Sequence, residues 1–244
     1  MTSKTPTIVA ASGGFLPGVR RRFQPGPIVW HALQLSGAGD TAKLAVLGTA
    51  SGDQMIQNAS VHEAFYGTGV RLTCVNLFPM PNFEDLRGHL LDQDVIWVGG
   101  GSVAGLLALW RLHGLDSVMR ECWESGVVLA GISAGSICWH VGGPTDSFGP
   151  DLRPVTDGLG FLPYGNGVHY DGEAQRRPLL HRLVAEETLP TGYATDDGVA
   201  LVYRGTELAE VVSDRAGAAA YRVERAADGT ATETRIEPRL LEAG

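Results

Sequence analysis

The run GVVLAGISAGSICWH (126–140) contains a serine whose surroundings suit nucleophilic chemistry. An apolar stretch ends at Ser133, and AGSICWH can begin a helix at once. Gly131, Ile132, Ser133, Ala134 and Gly135 then fall at a strand-to-helix bend with the spacing of a nucleophile elbow. Small residues two before and two after the serine let the backbone turn sharply without a clash. Such a turn lifts the hydroxyl to the sheet edge, and the amides that open the following helix face developing negative charge. A serine that merely caps a helix would satisfy the same five residues.

A serine nucleophile needs a base, and the chain has seven histidines. His31, His62, His89, His113 and His181 fall in helix-compatible stretches, where an exposed or core-satisfied imidazole is the ordinary outcome. His140 falls on the elbow helix, roughly 10 Å from Ser133 by the helical rise, and points away from the strand end. His169 differs, because it lies in the glycine-rich polar loop GNGVHYDGE (165–173), the kind of segment that carries active-site groups. A third group must hold the imidazole tautomer, and Asp146, Asp171 and the adjacent Asp196 and Asp197 are the candidates. An oxyanion hole needs backbone donors from two places. Gly99, Gly100 and Gly101, at the end of VIWV, would supply the second. The same glycines lack the GxGxxG spacing of a dinucleotide site, and no GK[ST] follows a glycine run as a phosphate loop requires.

The elements that must carry these groups read as alternating strands and helices. TIVAASGG (7–14), AKLAVLGTASG (42–52), RLTCVNLF (71–78), DVIWVGGG (94–101) and GVVLAGIS (126–133) are apolar runs ending in small residues. Helix-compatible stretches at 27–37, 61–69, 81–93 and 102–126 separate them, the last as one long or two short helices. Alternation of this kind implies parallel pairing through crossovers, with strands buried on both faces. The expected fold is α/β: an open, doubly wound, mostly parallel sheet with helices on both faces, in three layers. In such sheets the site lies off the carboxyl ends of the strands. After Pro144 the chain reads as turn-rich to about 168, then as a helix over 176–189 and as later strands that close the sheet with hairpins. No linker divides it, so 1–244 is expected to be one domain, with residues after about 225 a peripheral or poorly ordered tail.

Composition narrows the function classes. Of 244 residues, 44% are apolar and 19% charged, which excludes collagen-like, coiled-coil and largely disordered chains. A formal charge of −8 offers no positive field for a phosphate backbone, so nucleic acid is not an expected partner. No apolar run reaches the ~18 residues of a membrane span, and the opening MTSKTPTIVAASGG does not read as a secretory signal. The cytoplasm is the expected location. Cys74, Cys122 and Cys138 show no CxxC spacing, so neither a disulfide framework nor a zinc site is expected, and no cofactor is implied. Arg20, Arg21 and Arg22 form the one basic run, read as an exposed loop or an anion contact.

The order of these motifs carries a resemblance. VGGGSVAGLL (98–107), GISAGSICWH (131–140), TDS (145–147), LGFLPYGNGVHYDGEAQRR (159–177) and GYATDDGVALV (192–202) follow one another as in the serine dipeptidases of the aspartyl dipeptidase (peptidase E) type. That family is related to the cyanophycinases, and its fold is like that of class I glutamine amidotransferases. The likeness runs from about residue 7 to 224. It implies Ser133 as nucleophile, His169 as base and then acid, and the amides of Gly100 or Gly101 with Ala134 as oxyanion donors. It implies Asp197 as the triad acid, while Asp146, shortly after the elbow, matches an aspartate also given a catalytic role. Close relatives often carry Cys-Pro before the histidine, where Gly167 and Val168 stand here. The implied activity is metal-independent hydrolysis of dipeptides or short peptides with an N-terminal aspartate. Arg176 or Arg177 would meet the substrate carboxylate, and Asp146, Asp171 or Asp196 its amine. A small peptide is thus the expected partner, and a homodimer the one assembly left open. The rival readings are a cyanophycinase-like hydrolase of β-aspartyl linkages and a non-catalytic binding module that kept the fold.

Overall fold

The computed structural model describes residues 5–242. The first four residues of the opening segment and the last two of the polar tail lie outside them. An eight-stranded sheet forms the centre, in the order Arg239–Leu240, Glu207–Ser213, Val199–Arg204, Thr7–Ala11, Val128–Ile132, Val95–Val98, Lys43–Leu47, Arg71–Val75. From Thr7–Ala11 to Arg71–Val75 every neighbouring pair is parallel, and Val199–Arg204 adds to the other side of Thr7–Ala11 antiparallel. This is the mixed, mostly parallel three-layer α/β architecture expected.

The central strands are apolar at every position because both faces are covered. Ile8 and Ala10 pack into one core with Leu106, Trp110 and Met119, while Val9 and Ala11 pack into another with Ile28, Leu33 and Phe65. Helices Pro27–Ser36 and Met55–Phe65 therefore cover one face, and Val103–Leu112 and Leu115–Glu124 the other. The 102–126 stretch resolves into two helices at Gly114, whose φ of 71° breaks the first and starts the second. In the second, Leu115, Met119, Cys122 and Trp123 make one buried stripe at helical spacing.

The later strands do not simply extend this sheet. A six-stranded second sheet runs Ala231–Ile236, Ala220–Arg225, Gly192–Thr195, Leu162–Gly167, His140–Thr145, Arg153–Val155. Its Trp139, Phe161, Leu162 and Tyr193 share the core of Ile8 and Ala10, so it packs on that face of the main sheet. Three expectations change as a result. The elbow helix is a single turn, Ala134–Ile137, and His140 begins a strand; buried, it has Nδ1 2.9 Å from the Ser136 carbonyl and Nε2 3.4 Å from the Tyr203 hydroxyl. The stretch after Pro144 contains strands rather than turns alone. Its Gly158 reads as a turn signal, but sits where the His140 carbonyl approaches too closely for a side chain, as Gly142 and Gly143 just before the stretch sit against the Val155 and Asn166 carbonyls. The segment after 225 is an ordered strand, Ala231–Ile236, paired along its length with Ala220–Arg225. Among the described residues, no helix is long and apolar enough to cross a membrane.

Candidate active site

Three adjacent parallel strands, Thr7–Ala11, Val128–Ile132 and Val95–Val98, release Ser12, Ser133 and Gly99 at their carboxyl ends. The Ser133 amide donates to the Ala11 carbonyl at 3.0 Å, and the backbone then takes φ 58° and ψ −113°. A non-glycine residue held there carries strain of about 1–3 kcal/mol. The flanking glycines are dictated by space: a Cβ on Gly131 would lie 2.7 Å from the Gly135 carbonyl carbon, and one on Gly135 equally close to that of Val98. Ser133 stands at the N-cap of Ala134–Ile137, yet its hydroxyl makes no capping bond. The hydroxyl is not used as a helix cap, which removes the structural explanation for a serine at this bend.

Gly100 adjoins this serine: a Cβ there would stand 3.2 Å from Ser133 Cβ and 3.8 Å from Oγ. The amides on either side of the glycine pair are engaged, Gly99 with the Leu47 carbonyl at 2.9 Å and Ser102 with that of Ala50 at 2.8 Å. Gly101 adopts φ 134°, and a side chain on it would collide with the Ala50 carbonyl. Ala134 opens its helix, so its N–H has no intrahelical acceptor. Gly100 and Ala134 thus flank Ser133, one from the neighbouring strand end and one from the helix that follows it.

His169 follows strand Leu162–Gly167 and takes φ 51°. Its amide donates to Ser12 Oγ at 3.1 Å, and Ser12 Oγ lies 2.6 Å from Thr195 Oγ1. Ser12 itself continues from Ala11, the register partner of Ile132. The loop of the second sheet is thereby fastened beside the elbow of the first. The imidazole Nδ1 is 2.5 Å from Asp197 Oδ1, a short contact of the charge-assisted kind. The Asp197 amide donates in turn to Asp171 Oδ1 at 2.9 Å, and Arg215 pairs with the other Asp171 oxygen. Burial pushes the Asp171 carboxyl up, but the Arg215 hydrogen bond, the Asp197 amide and the Arg215 charge together outweigh it, so its pKa is lowered. Asp171 thus accepts the Asp197 amide as a carboxylate and orients that residue's backbone. Gly172 keeps the space around Asp197 open, since a Cβ there would lie 2.8 Å from Asp197 Oδ2.

The other expected residues have partners of their own. Asp196 is 4% exposed and lies beside a third apolar cluster that includes Leu180, Ala219 and Tyr221, where Oδ2 accepts from the Ala219 amide at 3.0 Å and the Tyr221 hydroxyl at 3.3 Å. Burial raises its pKa. Arg176 is only 2% exposed; its Nε donates to Glu173 at 2.8 Å and it lies 3.9 Å from the exposed Asp146. Arg177 pairs with Glu233 and its guanidinium lies over the rings of Tyr170 and Tyr221, at 4.4 and 4.5 Å from their centroids. Sequence reading missed Ser12, Thr195 and Arg215, which carry no motif of their own. Only the serine of ASGG at a predicted strand end offered a signal. Among the described residues, no group of three or more His, Cys, Asp or Glu side chains is arranged to hold a metal ion.

Comparison with known proteins finds peptidases. The model of peptidase family S51 matches residues 28–211. The uncharacterized peptidase YgaJ of Bacillus subtilis (strain 168) is 46% identical over 185 residues, covering 74% of this chain and 77% of that protein. Peptidase E of Shewanella amazonensis is 30% identical over 149 residues, covering 57% of this chain and 63% of its own length. A crystal structure of a peptidase from an acI-B1 Actinobacterium superposes with a TM-score of 0.69 at 17% identity, over 97% of this chain and 96% of that one, a likeness of fold. With a family match across most of its length and a relative that shares nearly half of the aligned residues, the chain belongs to peptidase family S51.

Proposed function

We propose that this peptidase-family chain is a serine peptidase that hydrolyses dipeptides or short peptides through an acyl-enzyme. Ser133 Oγ attacks the scissile carbonyl as His169 Nε2 takes its proton, and Asp197 holds the proton on Nδ1 and stabilises the imidazolium. The amides of Ala134 and of Gly100 or Gly101 receive the tetrahedral oxyanion. Collapse breaks the C–N bond and His169 returns the proton to the departing amine. Water, deprotonated by His169, then cleaves the ester, and the serine regains its proton. The observation that carries this reading is the 2.5 Å contact of His169 Nδ1 with Asp197 on a loop fastened through Ser12 beside the strained Ser133.

An N-terminal aspartate, which the family likeness implies, would need a free cation beside the scissile carbonyl. Arg176 and Arg177 are both engaged by glutamates, so neither is a free cation for that carboxylate. The test is labelling with a fluorophosphonate followed by peptide mapping, together with turnover of a dipeptide panel. An adduct at Ser133, and loss of both adduct and turnover in Ser133→Ala, is the expected result. Undiminished turnover in Ser133→Ala would exclude this mechanism.

A further inference from the structure

The elbow has two sides, and only one is taken by the base. Ser12, which anchors His169, alternates in register with Ile8 and Ala10 and so lies on the face that the second sheet covers. On the opposite face a cavity of about 230 Å³ opens beside Gly99, Gly100 and Ile132. Its walls are Phe15, Phe23, Val46, Val61 and Trp97. The hairpin Phe15–Pro17 and Phe23–Pro25 closes it from above: Phe15 packs edge-on against Phe23, Phe65 and Trp97, at 5.4, 6.2 and 5.8 Å between ring centroids. Arg21 fastens the hairpin to helix Met55–Phe65 by donating to the Ala64 carbonyl at 3.3 Å. Gln57 and Asn58 supply a narrow polar margin, and the exposed Arg22 stands at the mouth.

Resting on the serine-peptidase reading above, we propose that this cavity receives the side chain of the residue whose carbonyl Ser133 attacks, and that it selects a large apolar side chain there. The position follows from the chemistry. The leaving amine must reach His169 to collect its proton, so the acyl half of the substrate extends to the other side of Ser133, where Gly100 borders both the nucleophile and the cavity. The volume lies below the ~300 Å³ at which drug-sized ligand pockets begin, which suits one side chain rather than an extended polymer. The walls decide the chemical class: a carboxylate placed among Phe15, Val46, Val61 and Trp97 would lose its hydration, with Arg22, Gln57 and Asn58 the polar side chains of the lining left to compensate it, whereas leucine or phenylalanine has no charge to desolvate.

The experiment uses the full chain and two readouts. The first compares inactivation by phenylmethanesulfonyl fluoride and methanesulfonyl fluoride, with the adduct mapped to Ser133. The second compares kcat/KM for Phe-Ala, Leu-Ala, Ala-Ala and Asp-Ala. The expected result is a preference of ~10-fold or more for the benzyl reagent and for the Phe and Leu dipeptides. That ratio should collapse in Val61→Phe, which fills the cavity, and in Gln57→Trp, which fills it from a half-exposed position should Val61→Phe fold poorly. Equal rates for the two reagents, or a ratio unmoved by both variants, overturns the assignment while leaving Ser133 as nucleophile. A preference for Asp-Ala that disappears in Arg22→Ala also overturns it, because the mouth would then select a carboxylate. Failure of both reagents to modify Ser133, with no dipeptide cleaved, rejects the serine-peptidase reading itself and the cavity's role with it.

Discussion

Adjacent Asp196 and Asp197 offer a controlled comparison, because identical substitutions one residue apart should act on different properties. Asp197 accepts from His169 Nδ1 at 2.5 Å, and its side chain is 46% exposed. Asparagine in its place can turn an N–H toward the imidazole, which moves the ring proton to Nε2, where Ser133 needs an acceptor. Loss of a triad acid in this way lowers kcat by ~10⁴-fold, about 5 kcal/mol of transition-state stabilisation. Stability should change by less than about 0.5 kcal/mol, as for other half-exposed polar substitutions. Asp196→Asn should leave turnover near that of the parent: its oxygen can still accept from Ala219 and Tyr221, and burial already disfavours the charged form. Asp196→Ala, by contrast, strands the buried Ala219 amide and should cost about 1–3 kcal/mol. Dipeptide turnover, the rate of fluorophosphonate adduct formation at Ser133, and denaturant midpoints separate the two. Near-parental turnover in Asp197→Asn together with a crippled Asp146→Ala would refute the reasoning and make Asp146 the acid.

Other substitutions test the parts that surround this pair. Gly100→Ala places a methyl 3.2 Å from Ser133 Cβ, so turnover should fall by ~10²-fold or more with little change in the denaturant midpoint. Asp171→Asn breaks the pairing with Arg215 and weakens the acceptor for the Asp197 amide. Its kcat should fall by about tenfold, roughly 1.4 kcal/mol, with KM on a short dipeptide nearly unchanged, and Arg215→Ala should fall with it; additive losses in the double variant would refute a shared role. Burial lowers the His140 pKa from 6.5 to about 4. The unfolded chain therefore takes up a proton as pH falls through 6.5, while the folded chain resists until about 4. Stability should drop across that window by at most about 3 kcal/mol, and the urea midpoints of His140→Gln should show a correspondingly flatter pH profile.

Legibility in the sequence followed the physical origin of each signal. The parallel half was readable because strands buried on both faces are continuous apolar runs, as VIWV and VLAGI are. Ser133 and the glycines around it were readable because close backbone approach admits only small residues at fixed spacing. The second sheet was not readable, since the glycines in HVGGPT and LPYGNG serve close packing between strands and imitate turns. Charge sums could not place the arginines either: Arg177 is drawn to Glu233, 56 residues away, on a strand whose polar alternation reads as a loose tail. Ser12 holds the His169 amide and Arg215 holds Asp171 through single hydrogen bonds across long sequence separations, which leave no local pattern.

The strain at the elbow makes a claim that is independent of turnover. If φ 58° is imposed on Ser133 by the amide bond to Ala11 and by the close packing of Gly131 and Gly135, a residue without Cβ should relax there. Ser133→Ala and Ser133→Gly both remove the nucleophile, so both should be inactive, yet only the glycine is free of the steric conflict. The conflict is about 1–3 kcal/mol, and the larger conformational entropy of glycine in the unfolded chain offsets about 0.4–1 kcal/mol of it. A net gain of about 1 kcal/mol should raise the Tm of Ser133→Gly above that of Ser133→Ala by roughly 2–4 °C for a chain of this size. A Ser133→Gly Tm equal to or below that of Ser133→Ala would mean that the bend is comfortable for an ordinary residue. The serine would then need no special backbone to stand where it does, and the strained elbow would lose its place in the argument for a nucleophile.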